Sequence, residues 1–113
     1  MTLEQLRIFV AVATELNMTR AAEVLRLSQS AVSAAVSALE RRHDVQLFDR
    51  VGRGIALTPA GAVFLTEAKD ILNRSQQAER VLEDLSTLRR GSIQLVASQT
   101  VGNYWLPRQL MSF

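Results

Sequence analysis

Between Pro59 and Leu88 the chain contains one glycine, Gly61, and no second proline. Phe64, Ala68, Ile71, Ser75, Ala78, Leu82 and Leu85 follow one another there at alternating steps of four and three residues, an a/d seam over three heptads. Val81 and Leu88 widen it. Thr58-Pro59 supplies an N-cap followed by proline at the first helical position. Arg89-Arg90-Gly91 supplies cations and a glycine stop at the far end. A helix of roughly thirty residues is about 45 Å long, longer than any small domain built from the residues before it. One alternative is that the helix folds back onto its own domain. The favoured expectation is that its seam meets a second copy, which makes 59–90 a linker and dimerisation helix. Phe64, Ala68, Ile71, Ala78, Leu82 and Leu85 are then its contacts.

The preceding segment breaks into three shorter helices. Thr2 and Gln5 form a capping box, and Leu3, Leu6, Phe9, Val10, Val12, Ala13 and Leu16 recur at helical spacing over 3–16. Asn17-Met18-Thr19 interrupts the pattern, and Thr19 is expected to cap a second helix, Arg20–Leu25. Its paired alanines allow another helix to come close. Arg26-Leu27 makes a tight turn, and Ser28 caps a third helix reaching about His43. Val32, Val36 and Leu39 are its buried stripe. Gln29, Ser30, Ser33, Ala34 and Ser37 share another side. A plain solvated face would favour Glu and Lys. Small hydroxyls beside a helix N-terminus suit close approach to a large anionic surface.

Two short apolar segments, Val45–Val51 and Ile55–Leu57, flank Gly52-Arg53-Gly54, a hairpin with Arg53 at its tip. Three helices, the last two joined by a tight turn, followed by a hairpin, make a winged helix-turn-helix over 1–58. In such a motif the later helix lies in the DNA major groove while the earlier one braces it. Thr19 and Ser28 can offer donors to phosphates, and Gln29 can pair with adenine or bridge other bases. Ser30, Ser33 and Ser37 are weakly selective, and Ala34 can touch a thymine methyl. Arg50 and Arg53 can bind phosphate or a narrow minor groove. Net charge is only +2, yet twelve of the thirteen cations are arginine, the side chain suited to phosphate and guanine edges.

Other chemistries find little support. Cysteine is absent, so there is no thiol nucleophile and no Cys-based zinc site, and the single histidine, His43, excludes a multi-His metal site and leaves little for acid–base chemistry; no cofactor or catalytic residue is expected. His43 belongs with Glu40, Arg41, Arg42 and Asp44 in a helix-end charge cluster. No apolar run is long enough for a membrane, and Met1-Thr2-Leu3-Glu4 does not begin a signal peptide. A soluble, cytoplasmic protein is the default expectation. The rival to DNA binding is a protein–protein scaffold, and steep salt dependence separates the two. Beyond the long helix, Ser92–Ala97 alternates like a first strand, and Ser98-Gln99-Thr100 can cap a helix. Residues 91–113 thus look like the truncated start of an α/β domain.

Several stretches, taken together, resemble the N-terminal half of LysR-type transcriptional regulators over residues 1–91. They are Thr19-Arg20-Ala21-Ala22-Glu23-Val24-Leu25, Ser28-Gln29-Ser30-Ala31-Val32-Ser33, Leu39-Glu40, Leu47-Phe48-Asp49-Arg50 and Leu57-Thr58-Pro59-Ala60-Gly61. The resemblance implies a mainly α chain with a two-stranded wing. It further implies a homodimer or dimer-of-dimers tetramer on a pseudo-palindromic duplex, and a small-molecule effector in the full-length protein. Ser28, Gln29, Ser33 and Arg53 match the family's DNA-contacting positions, and Ser98 and Thr100 the start of its effector pocket. Ser30 stands where many members carry proline, and Ala34-Ala35 replace longer polar residues. Sparse base readout follows, resting on Gln29, the wing and DNA shape. The stretch Ala97–Pro107 is similar to a branch that often controls sulfur or carbon-fixation genes.

Overall fold

The computed structural model describes residues 1–90. Element order is α1 (Leu3–Glu15), α2 (Met18–Leu25), α3 (Gln29–His43), β1 (Phe48–Val51), β2 (Gly54–Leu57) and α4 (Pro59–Arg90). The chain divides into two compact units, Met1–Arg74 and Ser75–Phe113. The expected strand at Ser92–Ala97 and the effector residues Ser98 and Thr100 lie outside the described residues.

Local chemistry sets most boundaries in the first unit. The capping box is present at α1: Thr2 Oγ1 accepts from the Gln5 N–H at 3.1 Å, and the Thr2 N–H donates to Gln5 Oε1 at 3.0 Å. Ser28 caps α3, accepting from the Ala31 N–H at 3.1 Å. The second helix departs from expectation. Asn17, not Thr19, is its N-cap, with Oδ1 accepting from the Arg20 N–H at 2.9 Å. Asparagine caps at least as well as threonine, so α2 begins one residue before Thr19 and leaves that hydroxyl for another partner. The three short helices end on Leu16, Arg26 and Asp44, all in the left-handed region with φ of 53°, 60° and 52°. Each has a backbone N–H that donates back to its own helix.

Phe9 stands at the centre of the core and is 0% exposed. Its ring lies 5.4 Å from Phe48 and 4.9 Å from Phe64, tilted by 48° and 57°. Such tilted pairs add about 0.5–1.5 kcal/mol each beyond the apolar area they bury. Leu6 and Val12 from α1, Ala21 and Ala22 from α2, and Val32, Val36 and Leu39 from α3 complete the buried cluster. The alanines lie where α2 meets its neighbours, as their small size allows.

The two strands pair antiparallel in the register Phe48↔Leu57, Asp49↔Ala56, Arg50↔Ile55, Val51↔Gly54. Gly52 and Arg53 alone close the turn, and Gly52 has φ +57°. Positive φ at the first turn position only is the II′ hairpin pattern, which matches the strand twist. The first arm is shorter than the apolar run suggested. Val45–Leu47 is not strand, because its backbone bonds go elsewhere, as described below.

The long helix is present over its full expected length. Its first turns belong to the head unit's own core: Ala68 is 0% exposed, and Phe64, Leu65 and Leu72 pack against the cluster. Folding back therefore holds for this end of the seam, and Ala68 is not available to a second copy. Gly61 marks the closest approach. A Cβ there would overlap the Leu47 carbonyl oxygen and come within 2.8 Å of a Leu57 methyl. Farther along, Ile71 is 41% and Leu82 68% exposed, Ala78 is exposed and Leu85 half-buried.

Candidate nucleic-acid interface

The N-terminal turn of α3 gathers most of the expected contact residues. Ser28, Gln29, Ser30 and Ala34 are exposed, and no large side chain stands among them. Ser28 Oγ, already a cap acceptor, lies 3.4 Å from Ser30 Oγ. Ser33 and Ser37 are half-buried. With Glu40, Gln46 and Arg50 they line a groove between α3 and the wing. Thr19, on the first turn of α2, is exposed, and its hydroxyl donates to Gln29 Oε1 at 3.1 Å. Helix α2 thus touches the N-terminal end of α3 directly. Arg50 on β1 and Arg53 in the turn are both exposed. The expected surface residues therefore form two groups, hydroxyls and one amide on α3, and guanidiniums on the hairpin.

What holds the two groups together is a residue that the sequence pattern assigned to a helix-end charge cluster. Glu40 Oε2 accepts from the backbone N–H groups of Leu47 at 2.8 Å and Phe48 at 3.2 Å. A carboxylate accepting backbone donors makes charge-assisted hydrogen bonds, roughly twice as strong as neutral ones. Glu40 thereby pins the beginning of the wing to α3. The signal was its position: Glu40 follows Val36 by four residues, on the buried stripe, so it differs from its neighbours Arg41 and Arg42, which are exposed. His43 is exposed at the last position of α3, as the helix-end assignment expected.

The other end of the wing is fixed by Thr58. Its N–H donates to the Leu47 carbonyl at 3.0 Å and its hydroxyl to the Gln46 carbonyl at 2.7 Å. The same hydroxyl oxygen accepts from the Gly61 N–H at 2.9 Å, capping α4. One side chain joins the connector before β1 to the first turn of the long helix. Gln46 Nε2 adds bonds to the Phe48 carbonyl at 3.2 Å and Asp49 Oδ1 at 3.3 Å. These bonds account for the irregular backbone of 45–47.

No group of three or more His, Asp or Glu among the described residues is arranged to hold a metal ion. No described helix is long and apolar enough to cross a membrane.

Comparison with known proteins places this geometry in a family. A probable RuBisCO transcriptional regulator of Thalassiosira pseudonana is 45% identical over 112 residues, covering 99% of this chain and 36% of that protein. The chain spans about a third of the length of such relatives. Among solved structures, the BenM DNA-binding domain in complex with catB site 1 DNA superposes with a TM-score of 0.73 at 32% identity, covering 76% of this chain and 96% of that one. The CbnR DNA-binding domain–DNA complex gives 0.71 at 37% identity, with coverages of 76% and 99%. The fold is thus the winged helix-turn-helix of LysR DNA-binding domains. Residues 3–62 match the model for bacterial regulatory helix-turn-helix proteins of the lysR family, and the chain belongs to that family.

Proposed function

We propose that this chain is the DNA-binding and linker portion of a transcriptional regulator that recognises a pseudo-palindromic duplex as a dimer or dimer of dimers. Residues 1–58 bind DNA, 59–90 link and dimerise, and 91–113 begin an effector-binding domain. The observation that carries the reading is the juxtaposition of a bare polar face on α3 with two exposed arginines on a wing fixed to it by Glu40. An α-helix whose N-terminal side chains are this small can seat deeply in a major groove, and the wing is then held beside the flanking phosphates.

Within this reading Gln29 supplies the main base contact. Ser28, Ser30, Ser33, Ser37 and Thr19 add hydroxyls, and Ala34 contacts thymine. Arg50 and Arg53 bind the backbone or the minor groove. Ile71, Ala78, Leu82 and Leu85 meet the second copy, whereas Phe64 packs against Phe9 in the head unit. Ser98 and Thr100 contribute to holding a small effector in the full-length protein. Its action is by binding and not by catalysis. The relatives' names favour carbon-fixation genes as the regulated set.

Selection of bound duplexes from a random pool at near-physiological salt tests the proposal. The expected winners carry two-fold related tracts spaced by about one helical turn, ~34 Å, or a multiple of it. Binding that enriches no sequence, or that is insensitive to salt, would instead favour a protein scaffold. Arg53→Ala should lower affinity and reduce the slope of log K against log salt by about one. An unchanged slope removes the wing tip from the contacts.

A further inference from the structure

The hydrogen bond between Thr19 and Gln29 joins two side chains ten positions apart, across the turn of the helix-turn-helix. Both residues stand at the start of a capped helix. Asn17 caps α2, so Thr19 is the second residue of that helix with its hydroxyl free of capping work. Its β-branched side chain has few rotamers in a helix. Gln29 is the first residue of α3, fixed there by the Ser28 cap. Resting on the DNA-binding reading above, we infer that Thr19 is a positioning residue that locks the Gln29 amide in one orientation and so sharpens the base pair that Gln29 selects.

A glutamine amide carries an acceptor oxygen and a two-donor nitrogen of nearly the same shape, and half a turn exchanges them. In the major groove, adenine presents the N7 acceptor beside the N6 donor, guanine presents two acceptors, and the remaining bases present other patterns. A freely turning glutamine satisfies several of these. A threonine hydroxyl bonded to one end of the amide restrains its rotation, and in this structure the bonded end is Oε1. One lone pair of Oε1 remains for a base donor, and both Nε2 hydrogens remain for base acceptors. In this orientation the groove is offered the remaining Oε1 lone pair and the two Nε2 hydrogens in one order. Thr19 contributes to specificity through Gln29: with its one hydroxyl hydrogen given to Oε1, only its backbone N–H remains as a donor toward a phosphate.

The test is selection from a random duplex pool with the 113-residue chain and its variants Gln29→Ala, Thr19→Val and Thr19→Ser, each checked for folding by circular dichroism. Gln29→Ala identifies the base-pair positions that depend on Gln29. Thr19→Val should flatten the preference at those same positions by about three- to tenfold, the worth of one neutral hydrogen bond, and leave other positions unchanged. Thr19→Ser, which keeps the hydroxyl, should retain the parent preference. If Thr19→Val weakens every sequence equally, or changes nothing, the assignment is overturned while the DNA reading stands. If the parent enriches no sequence, the DNA reading falls and this assignment with it. Should Thr19→Val fail to fold, ¹⁵N relaxation of side-chain amides in the parent decides. Gln29 should be more restrained than exposed Gln76, and equal mobility overturns the lock.

Discussion

The two ends of α4 obey the same heptad rule and meet different fates. At the near end, Ala68 is sealed within the head unit at 0% exposure. Two heptads later on the same seam Leu82 is 68% exposed, although Leu88, nearer the end of the helix, is buried again at 5%. Periodicity reports which face of a helix is apolar, and it is silent on what covers that face. For Phe64, Ala68 and Leu72 the cover is Phe9 and its neighbours. For Ile71, Ala78 and Leu82 the cover proposed above is a second copy.

Substitutions can break this contrast. Ala68→Asp puts an unpaired carboxylate into a site with no room or partner, and should cost the head unit about 3–5 kcal/mol, read by chemical denaturation. A wild-type midpoint would mean that the near end of α4 is as open as the far end. Gly61→Ala probes the same region more gently. The overlap with Leu47 and Leu57 should cost about 1–3 kcal/mol, and a neutral result would show that the first turn of α4 can shift away from the wing. Leu82→Asp should leave the head unit's stability within ~0.5 kcal/mol of the parent, while sedimentation changes from dimer to monomer. A dimer that survives places the self-association surface elsewhere. The smallest effect is expected at Asp44→Gly, away from α4 altogether. Glycine relieves the left-handed backbone and removes an acid from a helix C-terminus, for a gain of about 0.5–1 kcal/mol in thermal stability.

Much of the fold was legible because its signals are local. Thr2 with Gln5, Ser28, and Thr58-Pro59 are caps whose chemistry lies within three residues of itself, and all act as expected. The buried stripe of Val32, Val36 and Leu39 was visible for the same reason. Failures arose where the deciding partner is distant or where two local signals compete. Asn17 and Thr19 are both competent caps, and the former is used. Leu16, Arg26 and Asp44 end helices in the left-handed region without glycine, so the usual stop signal was missing. Arg41, Arg42, His43 and Asp44 disguised Glu40 as one more surface charge, although its acceptors' partners lie seven and eight residues ahead. The face of α3 was legible as unusual, but the Thr19 contact that orients it was not, because it crosses between elements.

The hairpin has one further implication. With two residues in its turn and four paired rungs, the distance by which Arg53 projects is set by the ladder itself. Side chains alternate between the faces of a strand. Lengthening this finger by matched pairs, one residue per strand, extends the ladder and keeps its register. A solitary insertion has to be absorbed as a bulge or a three-residue loop, which turns the tip relative to Arg50 without extending the ladder.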